Sequence, residues 1–554
     1  MSGKHRRGPW PALCALATLS ASCGLARAAD ASADAAADGP GLRVSGYVRQ
    51  YFSINTKDHQ STGAGDGQIG PVSPTANCGF GQTCNDYNDR GKLQMVRTQA
   101  QLNFSAGTEQ VSVKGIARAV YEVNTPYLKE LERRGAAPDL GKRYAESELR
   151  ELFVDVKASD TLSFRLGKQQ IVWEEADFPI LDVIHGVNIR WRGPTEIPGE
   201  AEEFRKPLIM ALASFRLPEL EGRVDAFIRP GWDRDRDIGV SADDFGGRWT
   251  YNFAEGVDNR ANLINDPDHP KGRFDKATGG LRWSQKLGRV SYSVLAFTAP
   301  APAVVNPCLS AQPFGPFGPA LATFGAASYD RAARCAAGGG GFLGDLVQKV
   351  VPVVGGTANV YAESIGAVLT GVVAYSPKNP FNVGSGFFFG ALPGLQGVTE
   401  KDVMKWSARI DKSVDLSFLG TWRESDLALQ LAGTHIRGFA EADDLVQSFL
   451  FHRKLERSAY TLTGRITLPY QGDNWVGSAV LSKDLTYGGG FISPQLDYQI
   501  GNNWRFRLQY DHFFSKQAKV APVSSPANGA LTEDNVSSAF KDKDLLTLRF
   551  TYQF

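Results

Sequence analysis

The chain of 554 residues is poor in several things at once. Beyond its first 28 residues it has no apolar run of the ~20 residues that a membrane helix needs, which excludes a helical membrane protein. It has no block of like charge: 60 Lys and Arg stand against 59 Asp and Glu, a balance that argues against nucleic-acid binding. It has 7 His and 6 Cys, and no His accompanies a cysteine pair, so metal-ligand spacing is missing. Asp233, Asp235, Asp237 and Asp244 mimic a calcium loop, but Ile238 stands where such a loop needs Gly and two Arg neutralise the acids. No G-x-S-x-G element occurs. His435 is the one histidine placed near an apolar strand face, where a belt residue suffices as its explanation. No cofactor and no enzymatic function are expected.

What is present is turn-forming and aromatic: 59 Gly, 32 Phe, 17 Tyr and 10 Trp. Mean hydropathy is −0.24, as expected when apolar and polar residues alternate and the average cancels. The alternation is clearest at the end. Leu546, Leu548, Phe550, Tyr552 and Phe554 share one face of a strand, and Thr547, Arg549, Thr551 and Gln553 share the other. The same two-faced pattern runs through 96–104, 457–468 and 503–511. It predicts an all-β transmembrane antiparallel barrel of about eighteen strands, with sixteen as the alternative if 364–391 is a loop. Candidate strands include 364–376 and 382–391. The stretch 299–357 reads as a long outer insert, with a short amphipathic helix at 342–352, and Tyr127 to Arg134 reads as a helix within the 125–150 loop. Turns at 106–108, 158–160, 469–473 and 501–502 are short and should face the periplasm, whereas 55–92, 233–276 and 516–542 should face outward.

The start reads as an export signal over 1–28: basic Lys4 to Arg7, an apolar stretch, and the A-x-A site Ala26-Arg27-Ala28. A short linker, 29–41, then precedes the barrel, 42–554. Cleavage would remove Lys4, Arg6, Arg7 and Arg27 and no acid, taking the formal charge from +1 to −3. Phe550, Tyr552 and Phe554 would form the signal read by the barrel-insertion machinery. Four cysteines remain, Cys78, Cys84, Cys308 and Cys335. They allow three connectivities, of which Cys78–Cys84 and Cys308–Cys335 keep each disulfide within one exported loop.

Two features point to transport. Arg97, Arg118, Arg165, Arg465, Arg505, Arg507 and Arg549 fall on polar faces, joined by Asp155, Asp225 and Asp511. Charge facing lipid near the midplane costs roughly 2–4 kcal/mol for Arg or Lys, so these faces must line the lumen, where they could select ions or amphiphiles. The segment 167–210 is too apolar for a solvated loop and too charged for a strand. Trp173, Glu174, Glu175, Asp177, Asp182 and Arg190 are the expected constriction residues of a loop folded into the lumen.

The sequences Leu149-Arg150-Glu151-Leu152-Phe153-Val154-Asp155-Val156 and Arg165-Leu166-Gly167-Lys168-Gln169-Gln170-Ile171-Val172-Trp173 carry a resemblance, as do Val183 to Arg190, Lys206 to Met210 and Gly433-Thr434-His435-Ile436. They resemble the Gram-negative outer-membrane family filed as domain of unknown function 1302. The family pattern follows the Trp with Gly-Glu where this chain has Glu174-Glu175, and has Asn-Pro where it has His185-Gly186. The resemblance implies a barrel that accompanies transport of hydrophobic compounds. Its expected partners are outer-membrane lipid and lipopolysaccharide, a small hydrophobic ligand, and a periplasmic or inner-membrane transport system. A general polar porin and a structural barrel of an export complex are the alternatives.

Overall fold

The computed structural model describes residues 41–60, 86–87, 89–174, 184–233, 243, 245–250, 255–256, 258, 277–301, 305–308, 345–347, 349–383, 398–443, 445–446, 455–515 and 540–554. Eighteen strands form one closed antiparallel barrel. They are β1 (Arg43–Asn55), β2 (Leu93–Gly107), β3 (Val111–Glu122), β4 (Glu146–Lys157), β5 (Leu162–Gln169) and β6 (Leu208–Leu217). Next come β7 (Gly222–Arg229), β8 (Thr278–Leu287), β9 (Val290–Pro300), β10 (Val350–Ala362), β11 (Ala367–Val383) and β12 (Val398–Val414). The last six are β13 (Ser425–Ile436), β14 (Ser458–Tyr470), β15 (Trp475–Asp484), β16 (Gly490–Ile500), β17 (Trp504–Phe514) and β18 (Leu545–Gln553). Each pairs with its sequence neighbours, and β1 also pairs with β18 to close the ring. Closure leaves no strand without a partner on each side, the condition for a sheet to cross a bilayer.

The faces separate as the alternation requires. Val48, Phe52, Ile228, Val294 and Val373 are exposed on the outside, while their strand neighbours Tyr47, Tyr51, Phe227, Leu295 and Val372 are buried. Near the short-turn end the outer face carries an aromatic belt. Trp475 stacks on Tyr498 at 4.1 Å, and Trp504 lies 4.9 Å from Tyr552, as expected where a barrel meets the membrane interface. No described helix is long and apolar enough to cross a membrane.

The eighteen strands are not all those expected. The insert is interrupted by β10, and 345–347 and 350–352 are strand rather than helix. Within 364–391 the described residues form one strand in place of the two expected at 364–376 and 382–391: β11 runs 17 residues, through an irregularity between Ser376 and Asn379 where Lys378 adopts φ 52°. Pro377 and Pro380 therefore sit beside a bulge, the setting in which a strand tolerates proline. The remainder of 382–391, beyond Val383, lies outside the described residues, as do 1–28, Cys78, Cys84 and Cys335. The helix expected at Tyr127 to Arg134 is α1 (Pro126–Arg134), N-capped by the Thr125 side chain and with Pro at its start, both helix-start signals.

The end of the chain is tied in. Phe554 and Gly46 exchange backbone hydrogen bonds of 3.0 and 3.1 Å, and a Cβ at Gly46 would meet the Gln101 carbonyl oxygen at 2.3 Å. Deleting Phe554 removes a barrel-closing pair as well as a terminal aromatic. The truncated protein should reach the outer membrane at clearly lower levels than the parent at low expression. Equal levels in membrane fractions would sink this prediction.

Candidate functional site

The segment between β5 and β6 turns into the barrel. Ile171 and Trp173 continue the inward alternation and are buried, while Val172 points outward and is exposed. His185 staples the neck of this segment. Its Nε2 accepts from the Ile171 N–H at 2.8 Å, and its Nδ1–H donates to the Lys206 carbonyl at 2.9 Å. Burial pushes the imidazole down to about 3, so His185 is neutral and its two bonds fix one tautomer. An isolated antiparallel bridge, Val187 with Arg205, draws the two arms together. Beyond it α2 (Leu140–Tyr144) packs from the neighbouring loop, and α3 (Ile197–Phe204), kinked at Glu200, lies within the segment itself.

This segment meets a basic wall built from β1, β2, β3 and β18. Glu203 accepts from Arg49 at 2.8 Å and also pairs with Arg192. Glu200 accepts from Arg549 at 2.6 Å and from Arg192 at 3.0 Å. Arg118 donates to the Glu203 carbonyl at 3.2 Å, Arg97 donates to the Trp191 carbonyl, and the Trp191 indole N–H donates to Glu146 at 2.8 Å. Arg97, Arg118 and Arg192 are also stacked near the Trp191 ring, at 4.8, 5.2 and 4.4 Å. The charges are paired and hydrogen-bonded, the condition under which burial of ions is tolerated.

On the other side the same segment meets an apolar wall. Trp173 lies edge-on to Phe227 at 5.2 Å and to Phe297 at 6.1 Å. Ile171, Ile184, Leu208, Met210, Leu295, Val353, Val372 and Ala374 complete this buried cluster. The wall runs from β6 to β11, and several of its strands are apolar on both faces: Leu295 and Phe297 point in where Val294 points out. The lumen is therefore amphipathic across its width, and one segment touches both sides. Glu174 is buried beyond Trp173 and lies in the field of Lys405 on β12.

Outer loops close over this arrangement. Tyr127, Leu128, Leu131, Leu140 and Tyr144 pack with Trp191 and Phe245. Glu122, at the top of β3, is fully buried between Arg97 at 3.1 Å and Arg248 at 2.7 Å. Tyr144 donates to Asp243, and Lys543 bonds Glu255 and the Arg248 carbonyl, so residues from three loops share one polar core.

The match to the family described as protein of unknown function DUF1302 runs from residue 10 to 554. The chain belongs to this family. No curated protein matches it. Among solved structures, this DUF1302 protein is similar to the OpdK channel of Pseudomonas aeruginosa crystallised with vanillate, at 9% identity and TM-score 0.44, covering 93% of this chain and 100% of that one. It is similar to OccAB3 of Acinetobacter baumannii, at 10% identity and TM-score 0.42, covering 93% and 99%. It is also similar to the outer-membrane channel DcaP of Acinetobacter baumannii, at 9% identity and TM-score 0.36, covering 93% and 98%.

Of the expected lumen arginines, Arg97, Arg118 and Arg549 meet the infolded segment. Arg165 instead pairs with Asp155 at 2.6 Å, and Arg507 with Asp497 at 2.7 Å. Arg505 shares β17 with Arg507, and Arg465 is on β14, away from this cluster in the ring. Trp173 and Glu174 are in the site. Arg190 is not at the crossing; its guanidinium stacks over Phe245 at 5.5 Å in the outer layer. Glu175, Asp177 and Asp182 lie outside the described residues. Asp233 of the calcium-like run pairs with Arg229 and accepts from the Ile209 N–H, and no metal-type cluster occurs among the described residues. Arg49 and Glu200, which hold the crossing, and Glu122, which ties the wall to the outer loops, were not anticipated. One signal was available: Glu196, Glu200 and Glu203 follow i, i+4, i+7 spacing and so share a helix face.

Burial would push the Glu200 carboxyl up, but Arg549, Arg49 and Arg192 outweigh it and hold it at about 2. A carboxylate depressed from 4.5 stabilises its ion pairs with the wall fully above that value and loses its contribution as pH falls towards about 2. Conductance in planar bilayers should therefore stay flat from neutral pH to about 4.5 and rise only in the window below it. An opening transition at pH 6 would contradict this role for Glu200.

Proposed function

We propose that this protein is a passive outer-membrane channel for hydrophobic or amphipathic small molecules, gated by the infolded residues 170–174 and 184–207. The observation that carries the reading is the pairing of a basic wall with an apolar wall across one lumen. With the segment displaced, a molecule with an acidic head and an apolar body would meet complementary surfaces on both sides, its head taking the arginine contacts that Glu200 and Glu203 otherwise hold. Outer-membrane placement in a Gram-negative cell is supported by the apolar outer face, the aromatic belt and the alternation of short turns with long loops. Lipopolysaccharide and the barrel-insertion machinery are the partners this placement entails. A polar porin needs a clear aqueous path, and a segment bonded to Arg49 and Arg549 while packed on Phe227 and Phe297 argues against one.

The test is organic extraction of the barrel, purified from native membranes in mild detergent, with mass spectrometry of what is released. A stoichiometric amphipathic acid or apolar compound is expected, and its amount should fall in an Arg49→Ala, Arg549→Ala variant. Release of bulk phospholipid alone, unchanged by the substitutions, would overturn the reading.

A further inference from the structure

The barrel wall is not of even height. β11 and β12 have 17 residues each, whereas β5 and β7 have 8. A tilted strand needs about 9–11 residues to cross the hydrocarbon, so the wall is low at β5. Its neighbour β4 is not. The register between them stops at Leu152 with Lys168, while β4 continues to Glu146 paired with β3. Among the described residues, Glu146–Glu151 therefore have a strand on one side only, a seam one strand wide that opens toward the membrane.

The seam is stoppered from inside. β4 bulges opposite Ile116 and Ala117, the extra residue being Arg150, which turns inward and is buried. Its guanidinium donates to the carbonyls of Glu202 and, at 2.9 Å, Arg205. Gln170 donates to Glu151 at 2.7 Å across the foot of the seam. Trp191 and Asn188 reach Glu146 at its top. A bulge re-aims a side chain at functional places in a sheet, and here it holds a loop rather than another strand. Outside, Leu149 and Val172 flank the seam and are exposed. Immediately inside lie Ile171, Trp173, Ile184 and Leu208, the near end of the apolar wall.

We propose that the seam between β4 and the exit of β5 is a lateral portal, through which hydrophobic cargo passes between the apolar wall of the lumen and the outer leaflet of the bilayer. Arg150 is the latch, and the arms 184–191 and 202–206 are the stopper. Cargo of this class need not cross water on the membrane side. The proposal rests on the channel reading above and adds the route.

The test uses full-length protein with its four mature-chain cysteines replaced by serine, carrying Leu149→Cys and Val172→Cys, in proteoliposomes. A short bismaleimide bridges the two positions. The probe is a pyrene-labelled fatty acid, followed by excimer signal as it enters the bilayer through the protein. Bridging should reduce protein-dependent transfer at least about tenfold and leave ion conductance unchanged. Each single-cysteine protein with the same reagent should transfer normally. Unaltered transfer after complete bridging would overturn the portal while leaving the channel reading intact. Absence of protein-dependent transfer in the unbridged parent would overturn both. A second readout does not depend on cargo: on the same cysteine-free background, Asn188→Cys combined with Arg150→Ala should react with a membrane-partitioned pyrene maleimide several times faster than Asn188→Cys alone. Equal rates there would also count against the latch.

Discussion

Replacing Glu122 by Ala should destabilise the barrel by about 3–5 kcal/mol, the cost of leaving buried charges without their partner. Glu122 has no exposed side-chain surface and lies between two guanidinium groups that have almost none, Arg97 and Arg248. Arg97 belongs to β2, but Arg248 belongs to the loop after β7, so the carboxylate holds wall and lid together. Its loss should release the lid first. Protease should reach 243–258 in intact liposomes at rates well above those of the parent, and the unfolding midpoint in denaturant should fall. Glu122→Gln, which keeps the shape and one acceptor oxygen, should cost less. A Glu122→Ala protein with the parent's midpoint and protease resistance would show that the triad contributes nothing to the closed state.

Shortening 170–207 to a tight turn should raise single-channel conductance by on the order of tenfold, since barrels of 16–18 strands otherwise enclose an aqueous channel. The parent should look nearly closed. A milder version is Glu200→Gln with Glu203→Gln, which removes the anchors to Arg49, Arg192 and Arg549. It should give flickering openings rather than a permanently open state, because Trp173 remains docked on Phe227 and Phe297. Equal conductance in folded parent and deletion variant would make the segment an ornament.

How far the sequence could be read depended on lumen polarity. Where the lumen wall is polar, as at Arg505, Arg507 and Gln509 on β17, alternation marks both faces and the strand is plain. Where the lumen wall is apolar, alternation vanishes. β10 has Val351 and Val353 inside and Val354 outside, so its sequence reads as a continuous apolar run that periodicity cannot assign to strand or helix. The same blurring affects β9. The features hardest to read, apolar-walled strands, are thus the ones that make the lumen amphipathic. Arginine faces were legible because lipid forbids them. Their partners were not, because which acid meets which arginine depends on how the segment between β5 and β6 folds back across the lumen. The latch at Arg150 was invisible for a related reason: a bulge shifts one residue inward against the alternation that the rest of β4 obeys.

The most direct measurement compares uptake of two solutes of equal size into proteoliposomes, an aryl-alkyl carboxylate and a neutral sugar. With a basic wall facing an apolar wall, the acid should enter faster by roughly tenfold, one charge-assisted contact being worth about 1.5–3 kcal/mol. Arg49→Ala with Arg549→Ala should erase the preference: the wall loses two of the charges that favour the acid, while loss of the anchors to Glu203 and Glu200 raises entry of the sugar. Equal entry of the two solutes through the parent would contradict the amphipathic channel and leave a general pore in its place.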